Sequence, residues 1–225
     1  EKSSFENGMT DADRFVFTSN LKRQILLDTV QGRAPTAVFL PHCTDPALEN
    51  CITTWAFFET IHSESYTHII RAIYPDPKVV FDDLPNILEI VDCAKEITEA
   101  YENCIKNPTK ENLYLALIAA NALEAIRFYV SFICTFSFLE RGLVEGSAKI
   151  VKMIARDENE HLALVQHILK VVVATDPEFA ESEERCKDKA IHIFKSAGKQ
   201  EKAWAKYLFS RGPVLGLNYQ TMEKY

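Results

Sequence analysis

Apolar residues recur along this chain at intervals of three and four rather than two, the period of helices and not of strands. Thr10 or Asp11 caps a first helix through DADRFVFTSNLKRQILLDTVQ, with Phe15, Ile25, Leu26 and Val30 as its apolar positions and Gly32 and Pro35 as its end. After the short apolar piece AVFLPH, TDPALEN supplies an N-cap and a first-turn proline for a long helix from about Asp45 to Tyr74, where PDP stops it. VVFDDLPN reads as a turn with a short helical piece, and residues 87–107 as a moderately amphipathic helix. Beyond NPTKEN, the run LYLALIAANALEAIRFYVSFICTFSFL predicts one helix from Glu111 to Leu139. It has the length of a membrane span, but Asn121, Glu124 and Arg127 at its centre would be expensive in lipid. The expectation is a helix buried on several sides in a soluble bundle, with no membrane partner. Ser147 caps the next helix, which reaches about Ala174, and Asp176-Pro177 opens another with a heavily charged outer face, ending before Gly212-Pro213. VLGLNYQTMEKY starts one more.

Composition narrows this to an all-α protein. Seven glycines and nine prolines are few for 225 residues, and 47% hydrophobic content suffices for one sizeable core, so residues 1–225 are expected to form a single domain. A net charge of −7 argues against a generally basic, nucleic-acid-binding surface. The six cysteines form no CxxC pair and look like small core residues of a reduced, cytoplasmic protein. Glu1 opens no signal-peptide pattern, and a start at Glu suggests a processed, trimmed or partial chain.

Candidate chemistry is concentrated in WAFFETIHSESYTHII, residues 55–70. Glu59 and His62 share a helix face that Tyr66 continues and that Trp55, Ile69 and Ile70 make apolar. A second Glu-x-x-His, Glu158 and His161, lies on a face with Ile150, Ile154 and Val165. One such pair more often sits on a solvated face, but two on long helices with apolar neighbouring turns point to a buried metal centre. The pattern matches di-metal carboxylate bundles, in which two helices each give a Glu-x-x-His and two others each give a carboxylate. Glu124 is the obvious third-helix acid, the alternative for it being a buried salt bridge to Arg127. Asp28, flanked by Leu26, Leu27 and Val30, is the best fourth. Asp28, Glu59, His62, Glu124, Glu158 and His161 would neutralise two divalent cations, and their oxygen and nitrogen donors suit iron or manganese. No cysteine has the spacing for an iron–sulfur centre. Tyr66, one turn beyond His62, should lie close to the metals, with Phe128, Phe132 and Ile154 available to wall its phenol. An ordinary buried tyrosine in plain core is the competing reading.

At these residues the sequence resembles the small, radical-generating subunit of class Ia ribonucleotide reductases of bacterial and phage type. LLDTVQGR, WAFFETIHSESYTHIIR, NALEAIRFYVSF and IARDENEH match that family's ligand-bearing segments in order. The resemblance implies a ferritin-like bundle with Asp28, Glu59 and His62 on one metal and Glu124, Glu158 and His161 on the other, Glu59 and Glu158 bridging. It implies two iron ions, or manganese or a mixed pair, activating dioxygen to form a tyrosyl radical on Tyr66. Asp157 would hydrogen-bond His62 on the electron and proton route, unless it pairs with Arg156 or Arg127, and Trp55 would support Glu124 through its indole N–H. A homodimer and docking to the large (alpha) subunit are further implications. Family members carry an upstream segment with a relay tryptophan, and further helices and a flexible tail beyond GLN, which the chain as given does not include. Trp204 is at the wrong end to replace that tryptophan, and Tyr225 is terminal. Cys51 and Phe58 stand where close bacterial relatives are expected to have Trp and Ser. A ferritin-like iron-storage protein or di-iron oxidase, needing no Tyr66, is the alternative function. A di-iron monooxygenase with an open substrate pocket and a purely structural bundle are the others.

Overall fold

Helix α1, Asp11–Gln31, begins at Thr10, whose hydroxyl accepts from the Asp13 N–H at 3.1 Å while the Asp13 carboxylate accepts from the Thr10 N–H at 3.0 Å. The computed structural model describes residues 1–224, so the terminal Tyr225 lies outside the described residues. Phe15, Ile25, Leu26 and Val30 prove only half-buried, and the inner face of α1 is instead Val16, Phe17, Leu21 and Leu27. That helix is packed on more than one side, and a polar file of Asn20, Gln24, Asp28 and Gln31 is buried with it. Residues 32–45 turn the chain through a π-helical turn, Pro35–Phe39, and a 3-10 turn, Leu40–His42.

Helix α2, Pro46–Ile73, starts where the Asp45 carboxylate accepts from the Leu48 N–H at 2.9 Å and Pro46 takes the first helical position. Its buried residues, Ile52, Trp55, Glu59, His62, Tyr66, Ile69, Ile70 and Ile73, form one stripe. Helix α3, Lys78–Phe81, is a single turn, and α4, Leu88–Lys106, follows a 3-10 turn at Leu84–Asn86.

The apolar run predicted as one helix is broken. Helix α5, Lys110–Ala122, gives way to a π-helical turn, Leu123–Arg127, and α6, Tyr129–Glu140, resumes after Phe128. By length and composition Lys110–Glu140 could cross a membrane, but 78% of its most apolar window is buried inside the protein. The fully buried Glu124 and Arg127 sit in the broken turn.

Helix α7, Glu145–Thr175, is not capped by Ser147, which lies inside its first turn. Val144, in the left-handed conformation at φ 43°, precedes it. The Glu1 carboxylate instead accepts from the Gly146 and Ser147 N–H groups, at 2.9 and 3.2 Å. An anion at a helix N-terminus satisfies the orphan amides as a capping side chain would. Helix α8, Pro177–Leu208, is capped by Asp176, and α9, Tyr219–Lys224, ends the described chain. No β-strand occurs among the described residues; Val214 and Leu217 form an isolated bridge. Buried side chains of α1, α2, α4, α5, α6, α7 and α8 share one core, with a smaller apolar cluster of Tyr114, Ile118, Phe179, Cys186 and Ala190 where α5 meets α8. All six cysteines are free thiols, but only four are buried: Cys51 is exposed and Cys43 half-buried, against the expectation of six core residues.

Candidate metal centre

Helices α2 and α7 present matching stripes. Trp55, Glu59, His62 and Tyr66 on α2 face Ile154, Glu158, His161 and Val165 on α7, at the same spacing of four, three and four, and all eight are buried. Asp28 from α1 and Glu124 from the π-helical turn complete the ring. Their donor atoms fall into two groups, Asp28, Glu59, His62 and Glu158, and Glu59, Glu124, Glu158 and His161, each with all ligand atoms within 4.8 Å of one another. Glu59 and Glu158 belong to both groups. The end of α1 packs against α2 here: a Cβ at Gly32 would stand 3.4 Å from the Glu59 Cβ, in van der Waals contact.

Both imidazoles turn Nδ1 toward the carboxylates. His62 Nδ1 lies 3.2 Å from Glu158 Oε1 and 3.7 Å from Glu59 Oε2, and His161 Nδ1 lies 2.9 Å from Glu158 Oε2 and 3.2 Å from Glu59 Oε1. On its far side His62 Nε2 meets Asp157 Oδ2 at 3.3 Å. Asp157 also lies 3.6 Å from the Arg156 guanidinium, so both readings of this acid coexist, whereas Arg127 is engaged elsewhere, by Glu96 at 2.7 Å and Gln200 at 3.1 Å. The salt-bridge alternative for Glu124 fails for the same reason.

The expectation for Trp55 is corrected. Its indole N–H donates to Glu59 Oε1 at 2.9 Å, one turn along its own helix, and not to Glu124. Glu124 Oε1 accepts from Gln31 Nε2 at 2.7 Å, and Gln31 Oε1 accepts from the Tyr101 hydroxyl at 2.5 Å. Neither Gln31 nor Tyr101 carries a sequence signal beyond an α1 polar position one turn past Asp28. Phe39 stacks on Trp55 at 5.7 Å and meets Tyr101 edge-on at 6.2 Å, closing this side with aromatic rings. Phe128, Phe132 and Ile154 are buried in the same core as Tyr66, and the two phenylalanine rings stack at 5.7 Å. Cys51, Trp55, Phe58, Asp157, Glu160 and His161 line a surface cavity of about 310 Å³ that reaches the outer edge of the cluster.

The electrostatics suit cations. Burial, then the charges of Glu59 and Glu158, pushes the Asp28 carboxyl well above the usual range; burial, then Glu158 and Glu59, does the same to Glu124. Burial opposes charge on the imidazoles, yet the Glu158 and Glu59 carboxylates outweigh it and push His62 up to about 11 and His161 up to about 9. Glu158 is held below the usual carboxylate range because His161 and His62 outweigh its burial. Asp28 Oδ1 and Oδ2, Glu59 Oε2 and Glu124 Oε2 are buried with no hydrogen-bond partner, and His62 Nδ1 and Glu158 Oε1 have only their mutual 3.2 Å ion-pair contact. At roughly 1–3 kcal/mol for each orphaned polar atom, such a set would consume much of a domain's 5–15 kcal/mol of stability. Two divalent cations would turn these groups into ligands, and the donor set fits them. The Tyr66 hydroxyl is likewise buried without a partner, and burial, then Asp28, Glu158 and Glu59, keeps its phenol protonated.

The family model "Ribonucleotide reductase, small chain" matches residues 2–225. The chain is 46% identical to the ribonucleoside-diphosphate reductase subunit beta of Haemophilus influenzae and 45% identical to the ribonucleoside-diphosphate reductase 1 subunit beta of Escherichia coli O157:H7, with 96% of this chain and 65% of each relative covered. It thus spans about two-thirds of the length of these relatives, just under that fraction. Among solved structures, the ribonucleotide reductase R2 subunit from Clostridium botulinum superposes with a TM-score of 0.88 at 26% identity, covering 97% of this chain and 68% of that one. With the all-helical, ferritin-like bundle and a family match over residues 2–225, this chain belongs to the ribonucleotide reductase small-chain family.

Proposed function

We propose that the chain is the radical-generating part of a ribonucleoside-diphosphate reductase small subunit. The observation that carries this reading is the pair of four-residue donor groups sharing Glu59 and Glu158, with Tyr66 buried one turn beyond His62. Asp28, Glu59 and His62 would hold one metal ion, Glu124, Glu158 and His161 the other, and Glu59 and Glu158 would bridge. Two iron ions suit these ligands, and manganese or a mixed pair suits them equally. Two such divalent ions would supply two of the four electrons that take dioxygen to water.

The chain's own residues then have separable tasks. Tyr66 would supply a third electron and pass its phenolic proton to the reduced oxygen, an external reductant giving the fourth, and Phe128, Phe132 and Ile154 would keep other reductants and water from the resulting radical. Asp157 holds the His62 ring through Nε2 and so directs Nδ1 to the metal, as outer partners of ligating histidines do. The same His62–Asp157 contact, half-buried at Asp157 and bordering the surface cavity, is the proposed outlet for electron and proton exchange. The large (alpha) subunit would receive the oxidising equivalent and reduce ribonucleotides to deoxyribonucleotides. A cytoplasmic homodimer of one-domain protomers fits the free thiols and the family.

Elemental analysis after anaerobic iron(II) loading tests the reading. Two metal ions per chain are expected, falling in Glu59→Ala and Glu158→Ala, which remove the shared ligands. Less than one ion per chain in a folded protein would refute it. A cage-sized assembly with a mineral core would favour the iron-storage alternative.

A further inference from the structure

The helix break beside Glu124 is held from its outer side by a buried ion pair whose two residues lie on helices remote in sequence. Regular backbone bonding in α6 begins with the Phe132 N–H to the Phe128 carbonyl at 3.0 Å, after the π-helical turn has ended at Arg127. The Arg127 carbonyl, just short of that point, accepts from Arg23 Nη1 at 2.6 Å. The other Arg23 nitrogen, Nη2, donates to Glu201 of α8, and the guanidinium lies 5.0 Å from the Trp204 ring centre. Burial raises the Glu201 carboxyl above its ordinary value, while the charge of Arg23 and its hydrogen bond work the other way and favour the ionised form. Trp204 in turn donates its indole N–H to Ser131 Oγ at 3.2 Å. Arg23 is wholly buried and Glu201 nearly so.

A buried ion pair is weak evidence of stability, because desolvation offsets its attraction. This one stands where a backbone has lost its regular partners. An unbonded buried carbonyl is costly, so the Arg23 guanidinium from α1, anchored by Glu201 of α8, supplies the Arg127 carbonyl with the donor that the interrupted helix does not. Neither residue belongs to the metal-ligand groups.

We propose that Arg23 and Glu201 are positioning residues for the metal centre: Arg23, anchored by Glu201, bonds the Arg127 carbonyl where the helix is interrupted, and the pair so keeps the π-helical turn open and holds Glu124 over the shared carboxylates. The inference rests on the reading of Glu124 as a metal ligand. Without the pair, residues 123–131 would be free to rewind as regular helix, which rotates Glu124 by about 100° for each residue of register taken up.

The test uses the full chain with cobalt(II) as the probe, followed by visible absorption and equilibrium dialysis, and amide hydrogen exchange over residues 123–131. Arg23→Leu/Glu201→Leu removes both charges together, so no uncompensated ion is left in the core. The expected result is a cooperatively folded protein in which those amides exchange at least tenfold faster and one of two cobalt ions binds at least tenfold more weakly. Glu201→Gln, which keeps an acceptor for Arg23, should retain tighter cobalt binding than the double variant, and it stands in if the double variant does not fold: exchange over residues 123–131 should then rise above wild type. Wild-type exchange and cobalt affinity in whichever variant folds would overturn the proposal. Glu124→Ala separates the two levels. If it loses one cobalt ion while the pair variants lose none, the positioning role fails alone; if it keeps both, the ligand reading beneath it fails.

Discussion

Gln31 Nε2 donates to Glu124 Oε1 at 2.7 Å, and this bond has only one possible sense. Burial, then the Glu124 and Glu59 charges, keeps the Tyr101 phenol protonated, so its hydroxyl donates and Gln31 Oε1 must accept. The amide nitrogen is thereby turned to Glu124 Oε1, which accepts the bond. Gln31→Leu is expected to weaken metal binding roughly 10–100-fold, the usual effect of losing an outer partner of a ligand. Tyr101→Phe, which frees the amide to flip, should have a smaller effect in the same direction. Equilibrium dialysis of both variants checks the order; a larger loss in Tyr101→Phe would contradict it.

Metal binding should release protons. In metal-free protein at pH 7 His62 and His161 are protonated, with values of about 11 and about 9, and Asp28 and Glu124 are shifted toward their neutral forms. Ligands must be deprotonated, so cations compete with protons and affinity rises with pH. A titration in weakly buffered solution should show acidification on adding metal, and affinity still climbing between pH 7 and 9. A pH-independent affinity over that interval would count against the coupled cluster.

Asp157→Asn tests the His62 contact. The amide can keep a hydrogen bond to Nε2 but has no charge to support a cationic or metal-bound ring. Metal affinity is expected to fall modestly, and Asp157→Ala to lower it by roughly 10–100-fold. Equal affinities in the wild type and Asp157→Ala would show that the 3.3 Å contact does not orient the ligand.

Asp13 bonds Arg141 through both carboxylate oxygens, at 2.7 and 2.9 Å, tying the start of α1 to the end of α6. Burial works against the charge on Asp13, but the bonds from Arg141 and Thr10 outweigh it and hold its pKa below the ordinary value. The stabilisation is therefore present above the unfolded pKa of about 3.9 and lost as pH falls through the lower folded value. Asp13→Asn should destabilise by about 1 kcal/mol at pH 7, a value discounted because Arg141 is partly exposed. Urea melts at decreasing pH should show the difference shrinking below about pH 4.

Much of the centre was legible because α2 and α7 each put a Glu-x-x-His on an otherwise apolar stripe, where the helical period alone brings the side chains to one face. Glu124 stood out as an acid in the most apolar run. The interruption at Glu124 was not legible. No glycine or proline marks it, and the groups that satisfy it, Arg23 and Glu201, lie about 100 and 77 residues away in a chain where each looks like an ordinary charged position. Gln31 and Tyr101 were missed because a hydrogen-bond relay has no sequence period. Trp55 bonds Glu59 rather than Glu124 because the nearest acid one turn along its own helix meets the indole before any acid from another helix can. The inner face of α1 is not legible in the sequence because packing on several sides erases a single apolar stripe.

The claim at the centre of this account is that Tyr66 receives the oxidising equivalent. Electron paramagnetic resonance after adding iron(II) and dioxygen to the metal-free protein tests it most directly. The account predicts a tyrosyl signal in the wild type that is absent from Tyr66→Phe, with both proteins binding two metal ions per chain. A metal-loaded wild type with no such signal, or an unchanged signal in Tyr66→Phe, would contradict it.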